Sequence, residues 1–92
     1  MVTAFILMQI KRGAINETAQ QLQETKGISE VYSVSGKYDL VAIVRVPDND
    51  SLADLVTNRM PALDGILATE TMLAFKTYSR LDMEDMFGVG MN

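Results

Sequence analysis

The chain contains no cysteine and no histidine. Without thiols there is no disulfide framework and no thiol nucleophile. Without imidazole, most zinc sites, the Ser-His and Cys-His nucleophile systems and the ordinary neutral-pH proton shuttle all lose a member. Tryptophan is absent, and proline occurs only at Pro47 and Pro61. Basic charge is sparse: eight Lys and Arg against twelve Asp and Glu give a net charge of −4, and Lys11-Arg12 is the only adjacent basic pair. Phosphate neutralisation needs a basic face, so direct DNA binding is not expected. No apolar run approaches the ~20 residues of a membrane span, so no membrane partner is expected. The N-terminus lacks the basic region and cleavage pattern of a secretory signal, which points to a cytoplasmic location. Gly88-Val-Gly90 has neither a preceding strand nor a following helix, so it is no phosphate loop, and no cofactor is expected.

What is present fits one small domain of 92 residues. Val2 to Ile10 is almost continuously apolar and reads as a strand covered on both faces. Lys11-Arg12-Gly13 punctuates it. Asn16 is a candidate N-cap for a helix over about residues 16 to 26, with Ile15, Ala19 and Leu22 at helical spacing and Gly27 as the stop. Two β-rich runs follow, Glu30 to Ser35 and Leu40 to Val46, joined by a turn at Gly36-Lys37-Tyr38-Asp39. Pro47 closes the second run. Asp48-Asn49-Asp50-Ser51 offers N-caps for a second helix, which carries a stripe of Leu52, Leu55, Val56, Arg59 and Met60 and ends before Pro61. Ile66 to Tyr78 reads as a long final strand, with Leu67, Thr69, Thr71, Leu73 and Phe75 on one face and Ala68, Glu70, Met72 and Ala74 on the other.

The order is therefore β-α-β-β-α-β over residues 2–78, with a tail over residues 79–92. Right-handed crossovers place both helices on one face of a four-stranded antiparallel sheet. The other face is left uncovered, yet strands one and three are apolar on both sides. An apolar sheet of that size predicts a partner surface, and a second copy packed sheet to sheet is the simplest one. The tail holds Leu81, Met83, Met86, Phe87, Val89 and Met91 among Asp82, Glu84 and Asp85. It reads either as an arm lying over a neighbouring subunit or as a frayed acidic end. Its three carboxylates lack the spacing of a calcium loop.

Chemistry concentrates at the turn. Gly36 lets a ligand approach the main chain, free turn N–H groups can receive a carboxylate, and Asp39 can hold an ammonium. Thr69 and Thr71, two apart on one strand face, can add hydroxyl contacts. These partners suit a zwitterion such as a free amino acid. The plainer reading also stands: most such turns only solve a backbone problem, and threonine favours strands in any case. No spacing signals a paired-carboxylate mechanism.

The segment from Val31 to Val41, the helix with Leu52, Leu55 and Val56, and Gly65-Ile-Leu-Ala-Thr-Glu-Thr-Met-Leu73 together resemble the effector-binding (RAM) domain of the Lrp/AsnC transcription regulators. The resemblance covers about residues 2–78. It implies a ferredoxin-like α+β fold, sheet-to-sheet dimers that assemble into rings (often octamers), and amino-acid effectors bound between dimers near the turn. By position, Gly36, Tyr38 and Asp39 match that turn, Thr69 and Thr71 match the last-strand threonines, and Ser35 and Lys37 flank the site. Family regulators begin with a helix-turn-helix domain, whereas this sequence starts at the first strand. That implies a stand-alone form, not an enzyme, acting through protein partners, among them full-length Lrp/AsnC regulators. Two rivals are a small dimeric enzyme of the monooxygenase or isomerase type and a structural subunit that binds no metabolite. The ACT amino-acid-binding domain shares the element order. Its binding glycine follows the first strand, where Gly13 stands, but the Gly36–Asp39 turn fits the RAM pattern better.

Overall fold

The computed structural model describes residues 1–80. Four strands and two helical segments follow one another as β1 (Val2–Ile10), α1 (Ile15–Gln23), β2 (Ile28–Ser33), β3 (Leu40–Val46), α2 (Asn49–Asp54) and β4 (Ile66–Leu73). The sheet order is β2-β3-β1-β4, with every neighbouring pair antiparallel. This is the ferredoxin-like arrangement. β1 and β3, the strands with apolar residues on both faces, are the two central ones.

Alternation along the central strands defines the two faces. Ala4, Ile6, Met8 and Ile10 of β1 and Leu40, Ala42, Val44 and Val46 of β3 are buried and face the helices, where Leu22, Leu55 and Met60 complete the core. Phe5 and Leu7 of β1 and Val41 and Ile43 of β3 point to the opposite face, which no element among the described residues covers, and are only half-buried. Tyr32 and Met72 extend that face on the outer strands and are about half exposed. A polar corner borders it. Arg45 Nη1 lies 3.6 Å from Glu30 Oε1 and donates to Ser29 Oγ at 2.7 Å, and the Tyr32 hydroxyl donates to Glu30 Oε2. That bond and the negative charge of Glu30 raise the Tyr32 pKa.

Several boundaries differ from their sequence patterns: β2 runs over Ile28–Ser33 rather than Glu30 to Ser35, and α1 ends at Gln23 rather than near residue 26. Ala14 takes the N-cap position of α1, not Asn16, and its side chain makes no capping bond. Thr18 and Leu22 are the residues α1 buries fully, with Ile15 and Ala19 only packed against the core. The second helix does not stop before Pro61. From its Asp48 cap, whose Oδ1 accepts from Ser51 N at 2.8 Å, α2 continues as a π turn over Leu55–Arg59 and a 3₁₀ turn over Met60–Ala62. Hydrogen bonds from Ser51 hold the Asp48 pKa below its ordinary value. Proline has no N–H to continue an α ladder, but it sits without loss in the first turn of a 3₁₀ segment. The final strand ends at Leu73 rather than Tyr78. Ala74 N still donates to Thr3 O at 2.9 Å, but the β1–β4 register ends with Leu73 opposite Ala4. The tail proposed as an intersubunit arm lies, from residue 81 on, outside the described residues. So do Asp82, Glu84 and Asp85.

Two long-range contacts fix how the layers meet. Arg59 Nη1 donates to Lys26 O at 2.8 Å and its Nε lies 3.3 Å from Asp54 Oδ2, which ties α2 to the α1–β2 connection. Gly65 is buried where the chain enters β4, and a Cβ built there would lie 2.1 Å from Thr18 Oγ1. The next contacts of that Cβ are the Ala14 and Thr18 Cβ atoms, both at 3.4 Å. Gly65→Ala therefore overpacks the α1–β4 contact, with an expected loss of ~1–3 kcal/mol. Thr18→Ala removes the clashing oxygen, so the double variant should regain part of that loss. Urea unfolding of the four proteins at one protomer concentration measures the coupling, and strict additivity would show that the two residues do not touch.

Candidate functional site

The connection between β2 and β3 spans residues 34–39 and is closed by Val34 N donating to Asp39 O at 3.0 Å. Gly36 has φ +100° with open space around a built Cβ, so glycine is required there by backbone conformation and not by crowding. The loop is stitched to the end of β1. Asp39 N donates to Met8 O at 2.8 Å, and Ile10 N donates to Asp39 Oδ2, also at 2.8 Å. Gln9 Nε2 reaches Lys37 O at 3.4 Å. The Asp39 carboxylate thus supplies a rung of the β1–β3 ladder beyond the point where β3 has a carbonyl to offer.

Among the described residues, the N–H groups of Ser35, Gly36, Lys37 and Tyr38 donate to no protein acceptor, and Asp39 Oδ1 receives no protein donor. Lys37 Nζ lies 5.8 Å from the centre of the half-buried Tyr38 ring. A cation, a row of unsatisfied amides and one open carboxylate oxygen therefore meet at one loop. That set can receive a carboxylate on the amide side and an ammonium at Asp39.

Thr69 and Thr71 stand elsewhere on the protomer. They pair with Met8 and Ile6, so both side chains are on the helix-bearing face of β4. Both residues are exposed, and among the described residues neither hydroxyl has a protein partner. Thr69 lines a groove of about 290 Å³ with Val56, Met60, Pro61, Ile66 and Leu67. β1 lies between β3 and β4, so two inter-strand spacings, about 9.5 Å, separate the strand that ends the turn from the strand that carries the threonines. The protomer brings Ser35, Gly36, Lys37, Tyr38 and Asp39 together and leaves Thr69 and Thr71 apart from them.

Sequence reasoning missed the groove beside Thr69, because its shape depends on the π turn that precedes Pro61. It also missed Thr18 on the buried stripe of α1, although the four-residue step from Thr18 to Leu22 carried the signal.

Comparison with known proteins gives a consistent match. The Lrp/AsnC ligand binding domain family matches residues 3–83. The HTH-type transcriptional regulator FL11 of Pyrococcus furiosus is 31% identical over 77 residues, covering 84% of this chain and 50% of that protein. The chain thus spans about half the length of the curated relatives it matches. TTHA0845 of Thermus thermophilus is 42% identical with a TM-score of 0.81, and the match covers 87% of this chain and all of that one. The regulator NMB0573 of Neisseria meningitidis, determined as its L-Met complex, shares the fold with a TM-score of 0.77 at 15% identity, over 86% of this chain and 53% of that one.

The dual bonding of Asp39 separates two substitutions that would otherwise look alike. Asp39→Asn keeps an acceptor for Ile10 N–H and removes the charge. Asp39→Ala leaves that amide without its acceptor, at an expected cost of ~1–3 kcal/mol. Hydrogen exchange at the Ile10 amide should quicken in the alanine variant and stay near wild type in the asparagine variant. Equal protection in all three proteins would show that the side-chain bond is not formed.

Proposed function

The chain belongs to the Lrp/AsnC ligand-binding-domain family, and from that premise we propose that it is an oligomeric regulatory module that binds a free amino acid and acts through protein partners. The observation that carries this reading is the loop at residues 35–39, where unsatisfied amides stand beside the open oxygen of Asp39. The turn amides receive the α-carboxylate, Asp39 Oδ1 receives the α-ammonium, and Thr69 and Thr71 of another protomer add hydroxyl contacts. A ring of dimers is the arrangement that can bring those two halves together. The relatives it matches are named transcriptional regulators, and in this reading the module is no enzyme. The acidic balance and the absence of a basic cluster favour action through protein, including full-length Lrp/AsnC regulators, over direct contact with DNA.

Dimerisation is assigned to the uncovered sheet face. Phe5, Leu7, Val41 and Ile43 form its apolar centre, and the Glu30, Tyr32 and Arg45 corner forms part of a polar rim, as interfaces between protein chains are built. Ile43→Glu places a charge at that centre and should dissociate the assembly in sedimentation velocity while far-UV circular dichroism is retained. An unchanged sedimentation coefficient would remove this face as the interface.

Ligand binding is read by thermal shift against the standard L-amino acids. A ligand present at a hundred times its dissociation constant adds about 2.7 kcal/mol to stability, a shift of several degrees in a domain this small. Asp39→Asn should abolish that response with the assembly intact. Stabilisation of Asp39→Asn equal to that of wild type would overturn the role given to Asp39.

A further inference from the structure

We propose that the cleft between α1 and the turn entering β4 is a second ligand site, built for a small zwitterion carrying one ammonium and one carboxylate group. The site is separate from the 35–39 loop and does not depend on the reading given to that loop. Its walls include Lys11, Glu17, Thr18, Gln21, Asp64 and Gly65, around a volume of about 250 Å³. That volume suits a molecule of amino-acid size and is below the usual range for larger ligands.

The floor supplies the first argument. Thr18 is 1% exposed, and among the described residues its hydroxyl makes no hydrogen bond to protein. Thr25, just past the end of α1, and Thr57, within the π turn, each return their hydroxyl to a carbonyl four residues back. Thr18 does not, and its Oγ1 instead sits against Gly65 at the cleft floor. Its oxygen is open to the cleft and free to meet a ligand group there.

The rim supplies the second. Lys11 stands among the cleft walls with Glu17 and Asp64, and among the described residues none of the three forms an ion pair. Charges of both signs held around one cleft without pairing are complementary to a ligand that itself carries both. α1 begins at this cleft with no side-chain cap, so its positive end is open beside Lys11. The carboxylate of the ligand lies toward Lys11 and that helix start, and its ammonium lies toward Asp64 and Glu17. The Thr18 hydroxyl and the Gln21 amide complete the set.

The walls are also fixed in place. Lys11 N donates to Gly65 O at 2.7 Å, Ala14 N to Lys11 O at 3.0 Å and Thr18 N to Ala14 O at 2.9 Å. Ile66 N to Leu63 O, at 3.3 Å, closes the turn that presents Asp64. Little ordering is then left for binding to impose.

The test is a backbone-amide TROSY titration of the full chain in its native assembly. The probes are the standard L-amino acids at millimolar concentration, with acetate and ethylamine as single-charge controls. At least one amino acid should shift the Thr18, Asp64 and Gly65 amides saturably. Lys11→Gln and Asp64→Asn should each weaken that response about tenfold or more, while any response of Gly36 to Asp39 is unchanged. Thr18→Val, close to isosteric, should weaken it as well. Saturable shifts at residues 36–39 alone would overturn the cleft and leave the loop reading standing. Cleft shifts equalled by acetate or ethylamine, or indifferent to Lys11→Gln and Asp64→Asn, would overturn the zwitterion assignment. Silence at both places in the intact assembly would overturn both sites.

Discussion

One β-strand carries the structure. β1 is hydrogen-bonded on both edges, to β3 and to β4, and it is apolar on both faces. Its helix-facing residues Ala4, Ile6 and Met8 are fully buried, whereas Phe5 and Leu7, one step out of phase, are only half-buried. Two helices can shield one face of four strands and no more. A chain of this length buries a modest share of the surface its unfolded form exposes, so covering the apolar area left on the second face would add stability. The association proposed for that face would use the same alternation that builds the core.

The ends of β1 then decide where chemistry can occur. At its C-terminal end two connections converge. The 34–39 loop reaches it through Asp39 and the entry to β4 reaches it through Gly65, one on each side of the strand. Backbone groups that a longer β3 would have paired are met by a side chain in the first case. In the second, a glycine lets α1 and the chain entering β4 approach within the space of a methyl group. Both devices hold polar groups at the end of a rigid strand. Sites on such supports keep their geometry better than sites on free loops.

Periodicity made much of this legible. The apolar run from Val2 to Ile10 and the second β-rich run from Leu40 to Val46 became strands with those ends, because a central strand is marked by its own residues. Elements whose limits depend on neighbours were not legible in the same way. Thr71, Leu73 and Phe75 alternate as a strand should, but β4 ends at Leu73, opposite Ala4, and Phe75 beyond it is almost fully exposed. The second helix crosses Pro61 by changing its hydrogen-bond step, which side-chain spacing does not encode. Asn16 has the chemistry of a cap, yet the chain turns at Lys11 O and begins α1 at Ile15 with Ala14 in the cap position. The components of the 35–39 loop were visible because they are contiguous. The cleft at Thr18 and Gly65 was not, since it joins residues 47 positions apart through a contact that only the folded chain defines.

Sheet order also constrains what one protomer can bind. β3 and β4 are never adjacent in this topology, since β1 always lies between them. The bond from Ile10 N holds the Asp39 carboxylate near the plane of the sheet, and the Gln9 contact draws Lys37 toward the uncovered face. Thr69 and Thr71 project from the helix-bearing face of the far edge. The intervening β1, and the sheet face from which the threonines project, keep the turn amides and the two threonines of one chain apart. In the proposed reading, a site that uses both sets draws them from two chains, and its occupancy then depends on assembly. A site built wholly between α1 and Gly65 has no such requirement. Linkage between ligand and oligomer is thus expected for the first kind of site and not for the second.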